Sequence, residues 1–419
     1  LEEELSESVA GGGMKSFMRY FSFKKFLKLP QSAKDRLRSR FSGSGRDLKK
    51  DRVLMALVVV IALLLGGIVW LRISGATTKQ LQAYEEKLNH AQGIINDAAT
   101  QGQFDRAKGA TMLAQAEQEI LEVLNTRFLR SKAGQLMNEI DKQRMLLDNV
   151  QILESPTVFA DLSEKNSAVN IVGLSFLKDR LYAFDVNTLY EIILDRVQEP
   201  RKINDAEAVT LGAPFVDQQS LVFLTRSGKV MEYGDDLFKF MDTADSIWKK
   251  GVDMTTYNDR LYILDPERNQ MWRYRRQRDA YSAADGINLD STDLNDAVAF
   301  AIDASVYVVS NKGDITVLYG GSKQSVPVEH SPFSPLKNPT RVFTDADLNQ
   351  LFILEPSSKR VVAFFKDRRT GGTSPTKLSY TTQYIFKNVG ELRALYVSKD
   401  ENKLYVADDK KIYVTDLAQ

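Results

Sequence analysis

The chain has 419 residues, 43% apolar and 26% charged, which is enough to bury two or three cores and too apolar for a disordered polymer. With no Cys and only two His, His90 and His330, it excludes a disulfide scaffold, a thiolate metal site, a Cys nucleophile and a three-His zinc site. The net charge of +1 conceals an asymmetry: residues 1–72 carry 14 Lys and Arg against 7 Asp and Glu, residues 73–154 carry 9 against 11, and the rest 33 against 37.

Residues 1–52 form a basic segment expected in the cytoplasm. LEEELSESVAGGG precedes Met14, so either Met14 is the natural start or these residues are the tail of a longer cytoplasmic region. MKSFMRYFSFKKFLKLP, residues 14–30, interleaves Phe17, Phe21, Phe26 and Leu29 with Lys15, Arg19, Lys24, Lys25 and Lys28. A basic aromatic helix of this kind lies on anionic lipid; the same charges also suit a disordered juxtamembrane tether. SGSGR, residues 42–46, reads as a flexible joint.

VLMALVVVIALLLGGIVWL, residues 53–71, is 19 residues without a charge, bracketed by Arg52 and Arg72. At about 1.5 Å per residue it spans roughly 28 Å, close to a hydrocarbon core of about 30 Å, and predicts one transmembrane helix over 53–72. The run is too long, and too far from the start, for a cleaved signal peptide. Between Lys15 and Arg52 stand 13 Lys and Arg against three acids, whereas the twenty residues after the run hold far fewer cations. The positive-inside rule therefore puts the N-terminus in the cytoplasm and everything after Arg72 outside, with Trp70 at the outer interface.

Residues 74–152 carry apolar side chains at helical spacing and almost no Gly or Pro. Leu81, Leu88, Ala91, Ile95 and Ala98 make one stripe, Ala110, Leu113, Ala114, Ile120, Leu121 and Leu124 a second, and Phe128, Leu129, Ala133, Leu136, Ile140 and Leu147 a third. With breaks at 101–103 and 125–127, this predicts a membrane-proximal stalk of two or three antiparallel helices. His90 reads as a surface residue of that stalk.

From residue 155 short alternating strands take over, and one motif recurs: LYAFD at 181, LVFLT at 221, LYILD at 261, VYVVS at 306, LFILE at 351 and LYVAD at 404. The offsets are 40, 40, 45, 45 and 53 residues, with a strand before each copy and a polar turn and third strand after it. Such a period with several strands per unit predicts a mainly β fold, a six-bladed β-propeller over 155–419. The last copy ends at Gln419 without an outer strand, and PTVFADLSE, residues 156–164, has nothing else to pair with. That strand is expected to close the ring.

Asp185, Asp265, Glu355 and Asp408 end four of the motif copies, and Thr225 and Ser310 end the other two. All are residue types whose side chains accept backbone hydrogen bonds at the start of a turn, so hairpin chemistry accounts for them first. The four acids also share one face of the disk around the channel, where they could form a cation or ligand site. No catalytic, cofactor-binding or metal-binding set is read from the sequence.

At the level of strand repeat and spacing, residues 155–419 resemble six-bladed propellers of the NHL and YVTN type. DLNDAVAFAIDASVYVVSNKGDITVLYGG and PTRVFTDADLNQLFILEPSSKRVVAFFKD look like segments of bacterial single-pass membrane proteins that carry such a propeller outside. In some of these a cytoplasmic PPM-type serine/threonine phosphatase domain precedes the basic linker, and certain receptor-type serine/threonine kinases share the plan. The resemblance implies a cell-envelope signalling protein. Neither the phosphatase's metal-binding Asp-Gly pattern nor a glycine-rich loop, HRD or DFG is present, so no catalytic residue carries over.

Four further stretches have plain structural explanations. RYRRQRD at 273–279 and KDRRTGG at 366–372 could grip an anionic wall polymer, or be solvated outer strands. DGINLDSTDLND at 285–296 is rich in calcium-type oxygens but lacks the Gly and terminal Glu of an EF-hand. FSGSGR at 41–46 is not a nucleophile elbow.

The sequence thus predicts a membrane-anchored, extracytoplasmic binding or sensor protein, non-catalytic in this chain and without a cofactor. Its propeller would recognise a protein or envelope polymer, and the span would connect it to a cytoplasmic signalling domain or partner. Nucleic acid is not an expected ligand. The alternatives are a propeller hydrolase or lyase using the four acids, and a structural protein of envelope assembly.

Overall fold

The computed structural model describes residues 48–370, 372–398, 400 and 402–418. The chain divides into two compact units, Leu1–Gln82 and Ala83–Gln419. The basic stretch 14–30 and the joint 42–46 lie outside the described residues.

Helix α1, Leu48–Gln101, begins in the first unit and contains the apolar run 53–71. Of that run, side chains are described at 57 and 59–67. Leu57, Val59, Val60, Ile61, Leu63, Leu64 and Leu65 are all exposed, between 47% and 70%. At 100° per residue these positions point around the whole helix, so no single face accounts for them. Among the described residues, no helix stretch is long and apolar enough to cross a membrane.

In the second unit, α1 continues to Gln101 and is followed by α2, Arg106–Leu124, and α3, Arg130–Leu147. Leu88, Ala91, Ile95 and Ala98 of α1 recur at helical spacing and are buried against Leu113, Ala116, Ile120 and Val123 of α2 and Ala133, Leu136 and Ile140 of α3. Asp105 caps α2 by accepting the Lys108 amide at 3.0 Å. His90 is exposed and meets Glu119 on the surface at 2.9 Å.

Just beyond α3 the strand Val150–Leu153 runs parallel to residues 383–386 of the propeller. The helical hairpin therefore leads straight into the β domain.

Six sheets follow around a ring. Blade one has Gly173–Leu177, Arg180–Phe184 and Thr188–Ile193, edged by Arg196–Val197 and Arg201–Lys202. Blade two has Val209–Phe215, Ser220–Thr225, Val230–Gly234 and Leu237–Met241, and blade three Asp253–Tyr257, Arg260–Asp265, Gln270–Arg275 and Asp285–Gly286. Blade four has Ala297–Ile302, Val306–Ser310, Ile315–Tyr319 and Ser322–Lys323, and blade five Arg341–Phe343, Gln350–Glu355, Arg360–Arg368 and Pro375–Phe386. Blade six has Ala394–Ser398, Lys403–Ala407 and Lys411–Asp416, and its outer strand is Thr157–Asp161 from the other end of the domain.

The repeated motif is the second strand of each blade. In LYILD every residue is buried, because this strand is covered on both faces by neighbouring blades. Inner strands alternate buried with half-buried residues, as in Gly173–Leu177 and Val209–Phe215, because they border the central channel.

Six hydrophobic clusters each join two consecutive blades. Tyr262 and Leu264 of blade three, for example, pack on Phe300 and Val308 of blade four, and the cluster between blades six and one unites Tyr405 and Ile412 with Ile171 and Leu181. Each large side chain so buried contributes about 1.5–3 kcal/mol, so the ring is held by its seams. At the closure, Thr157 pairs with Val414 and Asp161 with Lys411, whose ammonium meets the Asp161 carboxylate at 3.0 Å.

Candidate functional site

The four acids of the repeated motif are all buried, and each is held in its own turn. Asp185 accepts the amides of Asn187 at 2.9 Å and Thr188 at 2.7 Å, and the Tyr190 hydroxyl at 3.1 Å. Asp265 accepts the Arg268 amide at 3.2 Å and, on its second oxygen, the Arg268 guanidinium and Trp272 Nε1, both at 2.9 Å. Glu355 accepts the Lys337 amide at 3.0 Å and the Arg360 guanidinium at 2.7 Å. Asp408 accepts the amides of Lys410, Lys411 and Gly390, and the Tyr413 hydroxyl at 2.8 Å.

Thr225 and Ser310 do the same work with hydroxyls, accepting the amides of Lys229 and Asp314 at 3.1 Å. Each oxygen of the acids thus stabilises a hairpin or the blade beside it. None of the four acids lines the central cavity.

That cavity measures about 460 Å³ and takes wall residues from the inner strands of all six blades. Two of its wall glycines make room for the Phe184 ring: a Cβ on Gly173 would stand 2.2 Å from that ring, and one on Gly212 2.7 Å from it. The lining continues past the strand ends into the first-to-second-strand turns, through Val216, Asp217, Asn258 and Asp345. Antiparallel pairing puts the turns of the four acids at the opposite end, where the inner strands begin.

Asp253 and Arg341 open the inner strands of blades three and five. Asp253 is 8% exposed and receives one full hydrogen bond, from the Phe300 amide at 2.9 Å across the blade seam. Burial pushes its carboxyl up to about 6, against the opposing pull of Arg341 and of backbone amides. Arg341 donates to the Thr340 carbonyl at 3.1 Å and makes no ion pair with a carboxylate among the described residues. Ser175, 2% exposed, also lies on the wall, and its Oγ is buried without a hydrogen-bond partner. The wall therefore offers a cation, a carboxylate with unused lone pairs and a spare hydroxyl.

No protein-family profile and no curated protein match this chain. Among solved structures it is similar to a gluconolactonase from Xanthomonas campestris, with 16% identity and a TM-score of 0.44 over 62% of this chain and 89% of that one. It is also similar to PorZ, an essential surface component of the type-IX secretion system of Porphyromonas gingivalis, with 14% identity and a TM-score of 0.39. That match covers 60% of this chain, which spans 37% of PorZ. A third likeness is to a chain of the nidogen–laminin complex, with 15% identity and a TM-score of 0.36 over 51% of this chain and 86% of that one. These are likenesses of fold.

The other polar stretches are occupied internally. Arg275 meets Asp259 at 3.1 Å, Arg276 clasps Glu232 at 2.7 Å and Arg273 pairs with Asp285. In the oxygen-rich loop, Asn288 donates to Asn269 and Thr292 carbonyls, and Asp290 accepts the Lys323 amide at 2.7 Å. Thr292 and that amide hold the Asp290 carboxyl below the usual carboxylate range. Among the described residues no three His, Asp or Glu side chains stand close enough to share a metal ion.

Lys366 is wholly buried between blades four and five, donating to Asp303 and to Thr344 Oγ1, each at 2.5 Å, while Arg368 pairs with the same Asp303. Burial pushes its ammonium down to about 8, with Asp303 pulling the other way. Sequence reasoning counted Lys366 and Arg368 as a surface cluster; they are a lock between blades. It also passed over Asp253 and Arg341, whose signal was a single charge at the head of an otherwise apolar inner strand.

Proposed function

We propose that this is a single-pass, membrane-anchored protein whose extracytoplasmic propeller binds a small polar ligand in its central channel and acts as a sensor or receptor. The observation that carries the binding reading is the cavity walled by all six blades, with Arg341 in no ion pair among the described residues and Asp253 accepting a single full hydrogen bond. Its volume of about 460 Å³ falls within the usual range of small-molecule sites, about 300–1,000 Å³.

Anchoring is supported by the uncharged run 53–71 and by the exposed Leu and Val residues of α1. In water such a surface would be a large unprotected apolar patch, whereas in a bilayer it is matched. The basic excess before the run supports a cytoplasmic N-terminus, with anionic lipid at 14–30 as its neighbour and a cytoplasmic signalling domain or partner as its output. Blade five links the two functions, because it carries Arg341 on its innermost strand and pairs with the strand that follows α3 on its outermost.

A thermal-shift screen of the full chain in detergent against a library of small polar compounds tests the binding reading. Thr255, half-buried on the cavity wall, is replaced by Trp to plug the channel. Compounds whose stabilisation is lost in Thr255→Trp support the proposal; stabilisation that persists in the plugged variant contradicts it.

A further inference from the structure

The channel's two ends differ in chemistry. Arg341 and Asp253 stand where the inner strands begin. Towards the other end, Phe176 of blade one stacks on Tyr396 of blade six, with centroids 5.0 Å apart and planes at 13°, and Phe343 of blade five meets Tyr396 edge-on at 5.3 Å. These three rings line the cavity together with Asp217 and Asp345 on its turns.

With Asp217 and Asp345 at this end and the guanidinium of Arg341 at the other, the aromatic end favours the positive pole of a ligand. Aromatic faces bordered by carboxylates suit an organic ammonium, which gains from the ring quadrupoles as well as from charge. Among the described residues no three acids converge on one point, which suits an extended organic cation better than a bare metal ion. Arg341, which makes no ion pair among the described residues, presents a fork that matches a carboxylate.

Resting on the reading that the channel is the binding site, we propose that its ligand is a small zwitterion with well-separated charges: an ammonium among Phe176, Phe343 and Tyr396, and a carboxylate on Arg341. The spacing follows from the strands. Two to three residues separate Arg341 from the aromatic end, and at about 3.3 Å per residue this is roughly 7–10 Å. An α-amino acid with both charges on one carbon is too short; an ω-amino acid of six to eight carbons, or a short peptide, fits.

Calorimetric titration of the full chain in detergent with glycine, 4-aminobutanoate, 6-aminohexanoate and 8-aminooctanoate tests this, with hexylamine and hexanoate as one-ended controls. The expected result is that 6-aminohexanoate or 8-aminooctanoate binds at least tenfold tighter than glycine and than either control. In Arg341→Gln the advantage of 6-aminohexanoate over hexylamine disappears, while hexylamine binding is kept. Arg341→Lys, which retains the charge without the fork, shows an intermediate loss and serves if Arg341→Gln does not fold. Hexanoate or glycine binding as tightly as 6-aminohexanoate overturns the proposal, as does no response to any member of the series. If library compounds are still lost in Thr255→Trp while the series is silent, only the ligand class falls; if neither responds to the plug, the channel reading falls with it.

Discussion

Arg106, at the start of α2, and Asp148, just past the end of α3, form an ion pair at 2.5 Å, half-buried at Arg106 and buried at Asp148, where the helical hairpin meets blade five. The guanidinium lies over the rings of Phe333 and Tyr380 and donates to the Ser331 carbonyl at 2.8 Å. Asp148 also accepts the Phe333 amide at 2.9 Å, and its carbonyl accepts the Tyr380 hydroxyl at 2.5 Å. Two residues of the helical bundle thus tie it to the propeller through five separate contacts.

Removing Asp148 leaves the half-buried Arg106 guanidinium without its carboxylate and the Phe333 amide without its acceptor. Asp148→Ala is expected to cost about 3–5 kcal/mol in urea denaturation of the full chain, whereas the double replacement Arg106→Met with Asp148→Leu recovers most of that loss. A double variant no more stable than Asp148→Ala would show that specific hydrogen bonds, and not the stranded charge, dominate the junction.

The motif acids are expected to behave as turn residues. Asp265→Ala leaves Trp272 Nε1 and the Arg268 amide without their acceptor. It should cost about 1–3 kcal/mol, as should Asp185→Ala and Asp408→Ala, measured by chemical denaturation. Ligand binding by the folded variants should be unchanged; a variant with full stability and weakened binding would move the site to the turn face.

Asp253 gives a pH signature. Its carboxyl has an ordinary value of 3.8 and is pushed up to about 6 in the fold. Between those values the folded protein holds a proton that the unfolded chain releases, so stability falls as pH rises through that window. Above pH 6 the ionised, buried carboxylate costs on the order of 3 kcal/mol. Asp253→Asn, which can still accept the Phe300 amide, should raise the unfolding midpoint at pH 7.5 and give no gain at pH 4. Equal effects at both pH values would mean that its charge is not what strains the channel.

The fold was legible because each middle strand is buried on both faces, so LYAFD, LYILD and LYVAD stand out as apolar runs at a regular period. The helical bundle was legible from Leu88, Ala91, Ile95 and Ala98 at one helical spacing. The channel was not. Asp253 and Arg341 come from blades three and five, and their proximity depends on ring closure, which no local pattern encodes. For the same reason Lys366 read as a surface cation, although Asp303, 63 positions earlier, buries with it. The strand Val150–Leu153 was also missed, since its parallel partner lies more than two hundred residues away.

The central claim is that a membrane separates the basic segment from the propeller, and the absence of any Cys makes it directly measurable. Single-Cys variants Lys178→Cys, on an exposed turn of blade one, and Ser32→Cys, in the basic segment, are treated in intact cells with a membrane-impermeant maleimide. The account predicts that Lys178→Cys is labelled at once and Ser32→Cys only after the membrane is permeabilised. Labelling of Ser32→Cys in intact cells, or protection of Lys178→Cys until permeabilisation, would contradict it.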